Sequence, residues 1–197
     1  MASLRVQSLS VGRMDNIAYL LTCEATGDQL LVDAAAEPHR LLDLIGDTGL
    51  ATIVTTHRHA DHWGALADVA TATGARVLAH PLDADALPVP SSPIVNGDVV
   101  RVGEVELEVI HLVGHTPGSV ALLYQGEPPQ IFTGDSLFPG GPGRTTNPVD
   151  FTSLMDDVEA KIFDRLPDGT VVHPGHGKPT TLGKERASIP EWRARGW

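Results

Sequence analysis

Short apolar segments of strand length recur along the whole chain and predict a structure rich in β-strands. From residue 104 the letters EVELEV alternate, as in a strand with one face on the core and one in water. The segment ATIVTT at 51–56 is instead apolar enough to be buried on both faces. So many strands exclude a helical bundle. The predicted strands are 4–9, 17–23, 29–33, 51–56, 75–79, 99–102, 105–112, 119–124, 130–133 and 170–173.

Three segments between these strands have helical patterns, at 37–47, 61–72 and 150–166. The third is the clearest, because its apolar residues recur every three or four positions behind Asp150, a suitable N-cap. Those residues are Phe151, Leu154, Met155, Val158, Ile162 and Leu166. Helices alternating with strands predict an α/β layer structure in which this helix packs on a sheet.

The length of 197 residues fits one globular domain, and we expect a single domain over 1–197. Two stretches rich in proline and glycine, at 87–97 and 138–148, do not separate halves large enough to fold alone. The segment 178–197 contains two tryptophans and several basic residues. We expect it to dock on the body of the protein or on a neighbouring subunit, and the oligomeric state stays open.

The formal charge of −11 repels nucleic acid and anionic membranes, so neither is an expected partner. No apolar run approaches the length of a membrane helix, about 20 residues. The single cysteine, Cys23, cannot form an internal disulfide, and the N-terminal residues lack the pattern of a secretory signal. The cytoplasm is therefore the expected compartment.

The segment TTHRHADH places His57, His59, Asp61 and His62 directly after a predicted buried strand. Imidazole and carboxylate groups are the ligands of zinc and other divalent transition metals. His57 and His59, two apart in an extended segment, point the same way, while Asp61 and His62 open the next predicted helix. The pattern favours a metal site, and simple capping of that helix by Asp61 is the alternative.

Further candidate ligands follow later strands, each beside a glycine-rich turn: His115 in GHTPGS, Asp135 in FTGDSLF, and His173 and His176 in VVHPGHG. Loops at one end of a sheet converge in space, so these groups can build one site. His39 is expected to be solvated and His111 to be a core or supporting group. His80 and His173 are expected at strand ends, where either could orient a ligand.

The succession HxHxDH, GHTPGS, TGDSLF and PGHG resembles the metallo-β-lactamase superfamily, and its glyoxalase II-like branch in particular. The resemblance implies the metallo-β-lactamase fold, a four-layer αβ/βα sandwich with metals at the sheet edges. It also implies two metal positions, with an aspartate bridging them as in thioester hydrolases and lactonases. In this assignment His57, His59 and His115 hold one ion, Asp61, His62 and His176 hold the other, and Asp135 bridges.

The function that this resemblance implies is a dinuclear metal-dependent hydrolase that cleaves a thioester, ester or lactone by a metal-bound hydroxide. Glyoxalase II-like hydrolysis of a hydroxyacyl thioester is the first expectation, with Asp61 and Asp135 as the catalytic carboxylates. Zinc is the first choice for both ions, and iron or manganese the other choices. Phe138 and Arg144 are the candidate substrate contacts. Because full-length glyoxalase II enzymes continue into a helical domain after the last ligand, the thiol carrier stays open.

Two other functions are compatible with these residues. The ligand set also resembles mononuclear iron persulfide dioxygenases, in which His59, His115 and Asp135 would hold the iron. A metal-binding module without turnover is the third possibility, although so many ligands in glycine-rich loops do not favour it.

Overall fold

Two six-stranded β-sheets pack face to face in the computed structural model, which describes residues 2–196. The first sheet has the strand order β1-β2-β3-β4-β5-β6. Its strands are β1 Leu4–Val11, β2 Asn16–Cys23, β3 Gln29–Val32, β4 Thr52–Val54, β5 Arg76–Ala79 and β6 Ser92–Pro93. The first three strands pair antiparallel, and β3 to β6 run parallel to one another. The loops after β3, β4 and β5 therefore leave the sheet at the same edge.

The second sheet is antiparallel except for the β10–β13 pair. Its strands are β7 Val99–Val102, β8 Val105–His111, β9 Val120–Tyr124, β10 Gln130–Gly134, β13 Val171–Pro174 and β14 Thr180–Thr181. In space they follow the order β14-β13-β10-β9-β8-β7. A small separate hairpin, β11 Leu137–Phe138 and β12 Gly141–Pro142, follows β10.

Helices cover the outer face of each sheet and complete the four-layer αβ/βα sandwich. The helices are α1 Pro38–Ile45, α2 Leu66–Thr73, α3 Pro148–Val158, α4 Leu182–Glu185 and α5 Ile189–Arg195. The first two share an apolar cluster with the first sheet, and the last three share one with the second. A third cluster, with Leu21, Leu107 and Phe132 among its members, lies between the sheets. The predicted α/β layers are thus confirmed.

Two predicted helix starts are wrong. The third helix begins at Pro148 behind Asn147, whose side chain accepts the backbone N–H of Asp150 at 2.9 Å, so Asn147 and not Asp150 is the N-cap. The segment predicted as a helix from residue 61 is a 3₁₀ turn at Ala60–His62, and α2 starts only at Leu66. The third helix also ends in a π turn at Glu159–Phe163, three residues before its predicted end.

The C-terminal segment docks on the body of its own chain as far as residue 196. Trp192 is 1% exposed, and its ring lies 6.0 Å from that of Phe163. Arg193 forms ion pairs with Asp156 and Glu159 on the outer helix of the second sheet. Trp197 lies outside the described residues. No helix within residues 2–196 has the length and apolar character needed to cross a membrane.

Candidate metal centre

All seven side chains predicted as ligands come together where loops from the two sheets meet. The β4–α2 connection supplies four of them, and the β8–β9 loop, the end of β10 and the loop after β13 supply one each. Their possible ligand atoms form three overlapping groups, and within each group the atoms lie within 4.8 Å of one another. The groups are His57, His59 and His115; His57, His62 and Asp135; and Asp61, His62 and His176.

Asp135 lies between the group of His57, His59 and His115 and the group of Asp61, His62 and His176. Its Oδ1 is 3.3 Å from His62 Nε2, and its Oδ2 is 3.6 Å from His115 Nε2 and 3.4 Å from His176 Nε2. Its carboxylate therefore contacts histidines from both groups. This is the arrangement expected of a bridging ligand.

Hydrogen bonds on the outer side of the rings fix four of the histidines. The Nδ1 atoms of His115 and His176 donate to the backbone carbonyls of Arg144 and Met14 at 2.7 and 2.8 Å. A carbonyl oxygen can only accept, so Nδ1 carries a proton in both rings, and Nε2 is the nitrogen that faces the centre. In two further histidines Nδ1 also has an acceptor. His62 Nδ1 is 2.8 Å from a carboxylate oxygen of Asp33. His57 Nδ1 is 3.0 Å from Thr56 Oγ1, whose own proton is donated to Asp33.

The polar atoms at the centre fit a bound cation. Among residues 2–196, the Nε2 atoms of His57 and His115 and the Oδ1 atom of Asp135 are buried without a hydrogen-bond partner. Unpaired buried polar atoms are costly, and a divalent cation would satisfy all three. Imidazole nitrogen with carboxylate oxygen is a donor set that zinc, iron and manganese accept. The site is therefore suited to divalent metal binding.

Electrostatics favour ionised carboxylates and neutral imidazoles on the His57 side of the centre. Burial lowers the pKa of both His57 and His115. For Asp135, burial opposes ionisation, but the facing imidazoles of His176 and His62 hold its pKa well below the ordinary value. Burial also disfavours the charged form of His62, yet the facing Asp33 carboxylate raises its pKa to about 10. The nearby Asp135 carboxylate raises the pKa of His176. This carboxylate-rich pocket thus attracts positive charge.

Comparison with known proteins agrees with this geometry. The sequence model described as the metallo-beta-lactamase superfamily matches residues 15–176, most of the chain. The chain belongs to the metallo-beta-lactamase superfamily. Its four-layer sandwich is the metallo-β-lactamase fold, as the resemblance implied.

Three members of this superfamily or of its fold illustrate the similarity. A protein of Polaromonas sp. named hydroxyacylglutathione hydrolase is 36% identical over 163 residues, which are 82% of this chain and 62% of that protein. The crystal structure of ETHE1 from Myxococcus xanthus has a TM-score of 0.83 at 30% identity, covering 94% of this chain and 83% of its own. The structure titled TTHA1623 in a di-iron-bound form has a TM-score of 0.80 at 34% identity, covering 95% of this chain and 100% of its own. This chain thus spans about three-fifths of the Polaromonas protein.

Two residues that form hydrogen bonds with side chains of the candidate metal centre were not identified from the sequence. Asp33 follows β3, is 1% exposed, and accepts hydrogen bonds from the backbone and hydroxyl of Thr56 as well as facing His62. Asn16 begins β2 and donates from Nδ2 to Asp61 Oδ2 at 2.9 Å. An acidic residue at the end of an apolar strand was the available signal for Asp33. Nothing near Asn16 in the sequence indicates its contact.

Phe138 and Arg144, the predicted substrate contacts, lie beside the centre. The Phe138 ring is 6.2 Å from the His176 ring and is partly exposed. The Arg144 side chain is exposed, while its backbone carbonyl holds His115. Arg144 also lines a cavity of about 340 Å³ formed by residues 142–146 with Phe151, Arg195 and Gly196. The Phe138 ring and the Arg144 backbone are thus the parts of these two residues that lie next to histidines of the centre.

The remaining histidines lie outside the three groups. His80 stacks on His111 with ring centroids 4.0 Å apart. His173 stacks on Phe132 at 4.7 Å, and its Nε2 lies 2.8 Å from Gln130 Oε1. His39 is exposed on α1, as expected. None of these four belongs to a potential metal-ligating group within residues 2–196.

Proposed function

We propose that the protein is a dinuclear metal-dependent hydrolase of small-molecule thioesters, esters or lactones, with a hydroxyacyl thioester as the preferred substrate. The observation that carries this proposal is the position of Asp135, whose carboxylate contacts histidines of two potential ligand groups. Relatives named hydroxyacylglutathione hydrolase support the thioester. The charge of −11 favours a small-molecule substrate over nucleic acid or a membrane surface, and we assign the protein to the cytoplasm.

The proposed ligands of the first ion are His57, His59 and His115, and those of the second are Asp61, His62 and His176, with Asp135 shared. Two divalent cations, zinc first and iron or manganese otherwise, would act as Lewis acids that lower the pKa of water and polarise a carbonyl group. The Nδ1 hydrogen bonds orient the rings of His57, His62, His115 and His176 so that Nε2 is the nitrogen available for ligation.

The two carboxylates have different tasks in this proposal. Asp135, with its side chain 12% exposed, stays ionised and holds the two halves of the centre together. The Asp61 side chain is 27% exposed, and Asn16 and His176 both contact its Oδ2. This leaves Asp61 Oδ1 as the oxygen that can take up a proton from the attacking water and return it to the leaving group.

Phe138 and Arg144 would bind the substrate on either side of the reacting carbonyl. The Phe138 ring offers an apolar surface beside His176, and the exposed guanidinium of Arg144 offers a positive charge in a strongly acidic protein. The positive charge favours a hydroxyacyl thioester whose thiol carrier is anionic.

The decisive experiment combines metal analysis with a thioester panel. Protein purified without added metal is expected to contain close to two divalent ions per chain and to hydrolyse at least one hydroxyacyl thioester. His59→Ala should abolish turnover, whereas His39→Ala, on the exposed surface of α1, should leave it unchanged. Full hydrolysis by the His59 variant would contradict the proposal.

A mononuclear iron persulfide dioxygenase is the second candidate, favoured by the similarity to ETHE1 from Myxococcus xanthus. His59, His115 and Asp135 would then hold the iron, and His115 Nε2 lies 3.6 Å from Asp135 Oδ2. One iron per chain and oxygen consumption with a persulfide would favour this activity over hydrolysis. Full metal loading with no turnover of any carbonyl, phosphoester or persulfide substrate would instead indicate a metal-binding module.

A further inference from the structure

Asp83 lies outside the proposed ligand set, yet its carboxylate touches two of the loops that carry it. It follows β5 in a turn that begins at His80, whose carbonyl accepts the Asp83 N–H at 3.0 Å. The residue is 1% exposed. A buried carboxylate needs several hydrogen-bond donors to offset its loss of solvation, so its partners are informative.

Three donors from two loops converge on this carboxylate. Oδ2 accepts the backbone N–H of Arg58 at 3.0 Å and the hydroxyl of Thr116 at 2.5 Å. Oδ1 accepts the backbone N–H of Gly118 at 3.0 Å. Arg58 stands between His57 and His59 in the chain, and Thr116 directly follows His115. One side chain therefore joins the backbone segments that present all three members of the first ligand group.

Gly118 has a specific role in this contact. A Cβ at this position would lie 2.8 Å from Asp83 Cγ, closer than real Cβ atoms approach. The backbone of the GHTPGS loop can reach the carboxylate only because residue 118 has no side chain. This explains a glycine of the motif that the ligand assignment leaves unexplained.

The contact between Asp83 and the loop backbones matters more for the first ligand group than for the second. No hydrogen bond to the His59 ring is found among residues 2–196, and His59 is exposed, so its position follows from its backbone. In the second group all three side chains have hydrogen bonds of their own, from Asn16 to Asp61, from His62 to Asp33 and from His176 to Met14. In the first group only His57 and His115 have one.

We infer that Asp83 is a positioning residue for the His57, His59 and His115 half of the centre, tying two loops into the geometry that one cation requires. This inference rests on the proposed dinuclear centre. It means that the geometry of one ligand group depends on a residue that is not itself a ligand. Loss of a group that supports metal ligands typically weakens metal affinity by about 10- to 100-fold.

The test is a chelator titration of zinc-loaded Asp83→Asn, with the absorption spectrum of the cobalt-substituted protein as a second measurement. An asparagine amide keeps only one accepting oxygen, so its NH2 group would face at least one of the three donors that now bind the carboxylate. We expect one of the two ions to be bound about 10- to 100-fold more weakly and the other as in the wild type. The cobalt spectrum should change as in His115→Ala and not as in His176→Ala.

Asp85→Asn is the matched control. Asp85 lies in the same turn, its side chain is 77% exposed, and it pairs with the Arg58 guanidinium at 3.3 Å instead of with the backbone. This variant should bind both ions as the wild type does. Equal affinity for both ions in Asp83→Asn would overturn the inference, whereas a wild-type protein that takes up no divalent cation would refute the proposed function itself.

Should Asp83→Asn fail to fold, Thr116→Val is the second test. It removes one hydrogen bond to the carboxylate, together with the contact between the Thr116 and Ser119 hydroxyls, and keeps the shape of the side chain. An affinity for one ion lowered by about threefold to tenfold supports the inference. Unchanged affinity for both ions in this variant overturns it.

Discussion

Replacing Gly175 by alanine tests the packing of the centre with a single methyl group. Gly175 is buried, and its backbone joins the two sheets by a hydrogen bond to Gly134 at 2.8 Å and another from Ile17 at 2.8 Å. A Cβ at this position would lie 2.3 Å from Asp135 Oδ1 and 2.7 Å from His62 Cε1. The methyl group therefore enters the space that the ligand atoms occupy.

The expected magnitude follows from this overlap. Ordinary contact begins at 3.4 Å, so the Asp135 carboxylate must move by about 1 Å if the backbone stays in place. A displacement of about 1 Å in a reacting group lowers activity by on the order of 100-fold. We expect kcat/KM for thioester hydrolysis to fall by about this factor and the metal content to drop below two ions per chain, with the far-ultraviolet circular dichroism unchanged.

Gly169→Ala is the matched control for this substitution. Gly169 precedes β13 in the same segment, and no atom among residues 2–196 lies within 4 Å of its ideal Cβ position. It should keep full activity and metal content. A Gly175→Ala protein with kcat/KM within about threefold of wild type and two bound ions would refute the reasoning, because the ligand atoms could then not be packed as described.

Three further predictions concern the surroundings of the centre. Asp33→Asn removes an oxygen that accepts hydrogen bonds from Thr56 and His62. Metal affinity, measured by competition with a chelator, should therefore fall by about 10- to 100-fold. An unchanged affinity would contradict this prediction. Trp192→Ala should lower the free energy of unfolding in urea by about 3 to 5 kcal/mol, because the ring is buried. A loss below about 1 kcal/mol would mean that the C-terminal segment contributes little to the stability of the fold. Burial lowers the pKa of His173 from 6.5 to about 4, so the unfolded chain binds more protons than the folded one between these values. His173 therefore makes stability fall as the pH drops from 6.5 towards 4, by at most about 3 kcal/mol, and His173→Gln should flatten this dependence in urea unfolding. Parallel pH profiles for the two proteins would argue against it.

The side chains that meet at the proposed centre could be found in the sequence because each lies at the end of an apolar strand or close after it, in a loop with glycine. A strand of residues such as 51–56 predicts where its loop leaves the sheet, and loops at one edge converge. Asn16, Asp33 and Asp83 were not assigned, because their roles depend on hydrogen bonds between segments distant in the chain. Such partners have no local pattern.

Local details of the secondary structure were missed for a different reason. The two-residue strands β6, β11, β12 and β14 are too short for an alternation of apolar and polar residues to be visible. Asn147 and Asp150 can both cap a helix, and the proline at 148 was the signal that favours the earlier start, because proline is common at the first helical position. A 3₁₀ turn at Ala60–His62 replaces the predicted first helical turn, and it presents Asp61 and His62 to the centre.

The most direct test of the central claim is anomalous diffraction from crystals of the protein purified without added metal. We predict two peaks about 3.5 to 4 Å apart, one beside the His57, His59 and His115 nitrogens and the other beside Asp61, His62 and His176, with Asp135 between them. A single iron peak held by His59, His115 and Asp135, or no peak at these side chains, would contradict the dinuclear centre.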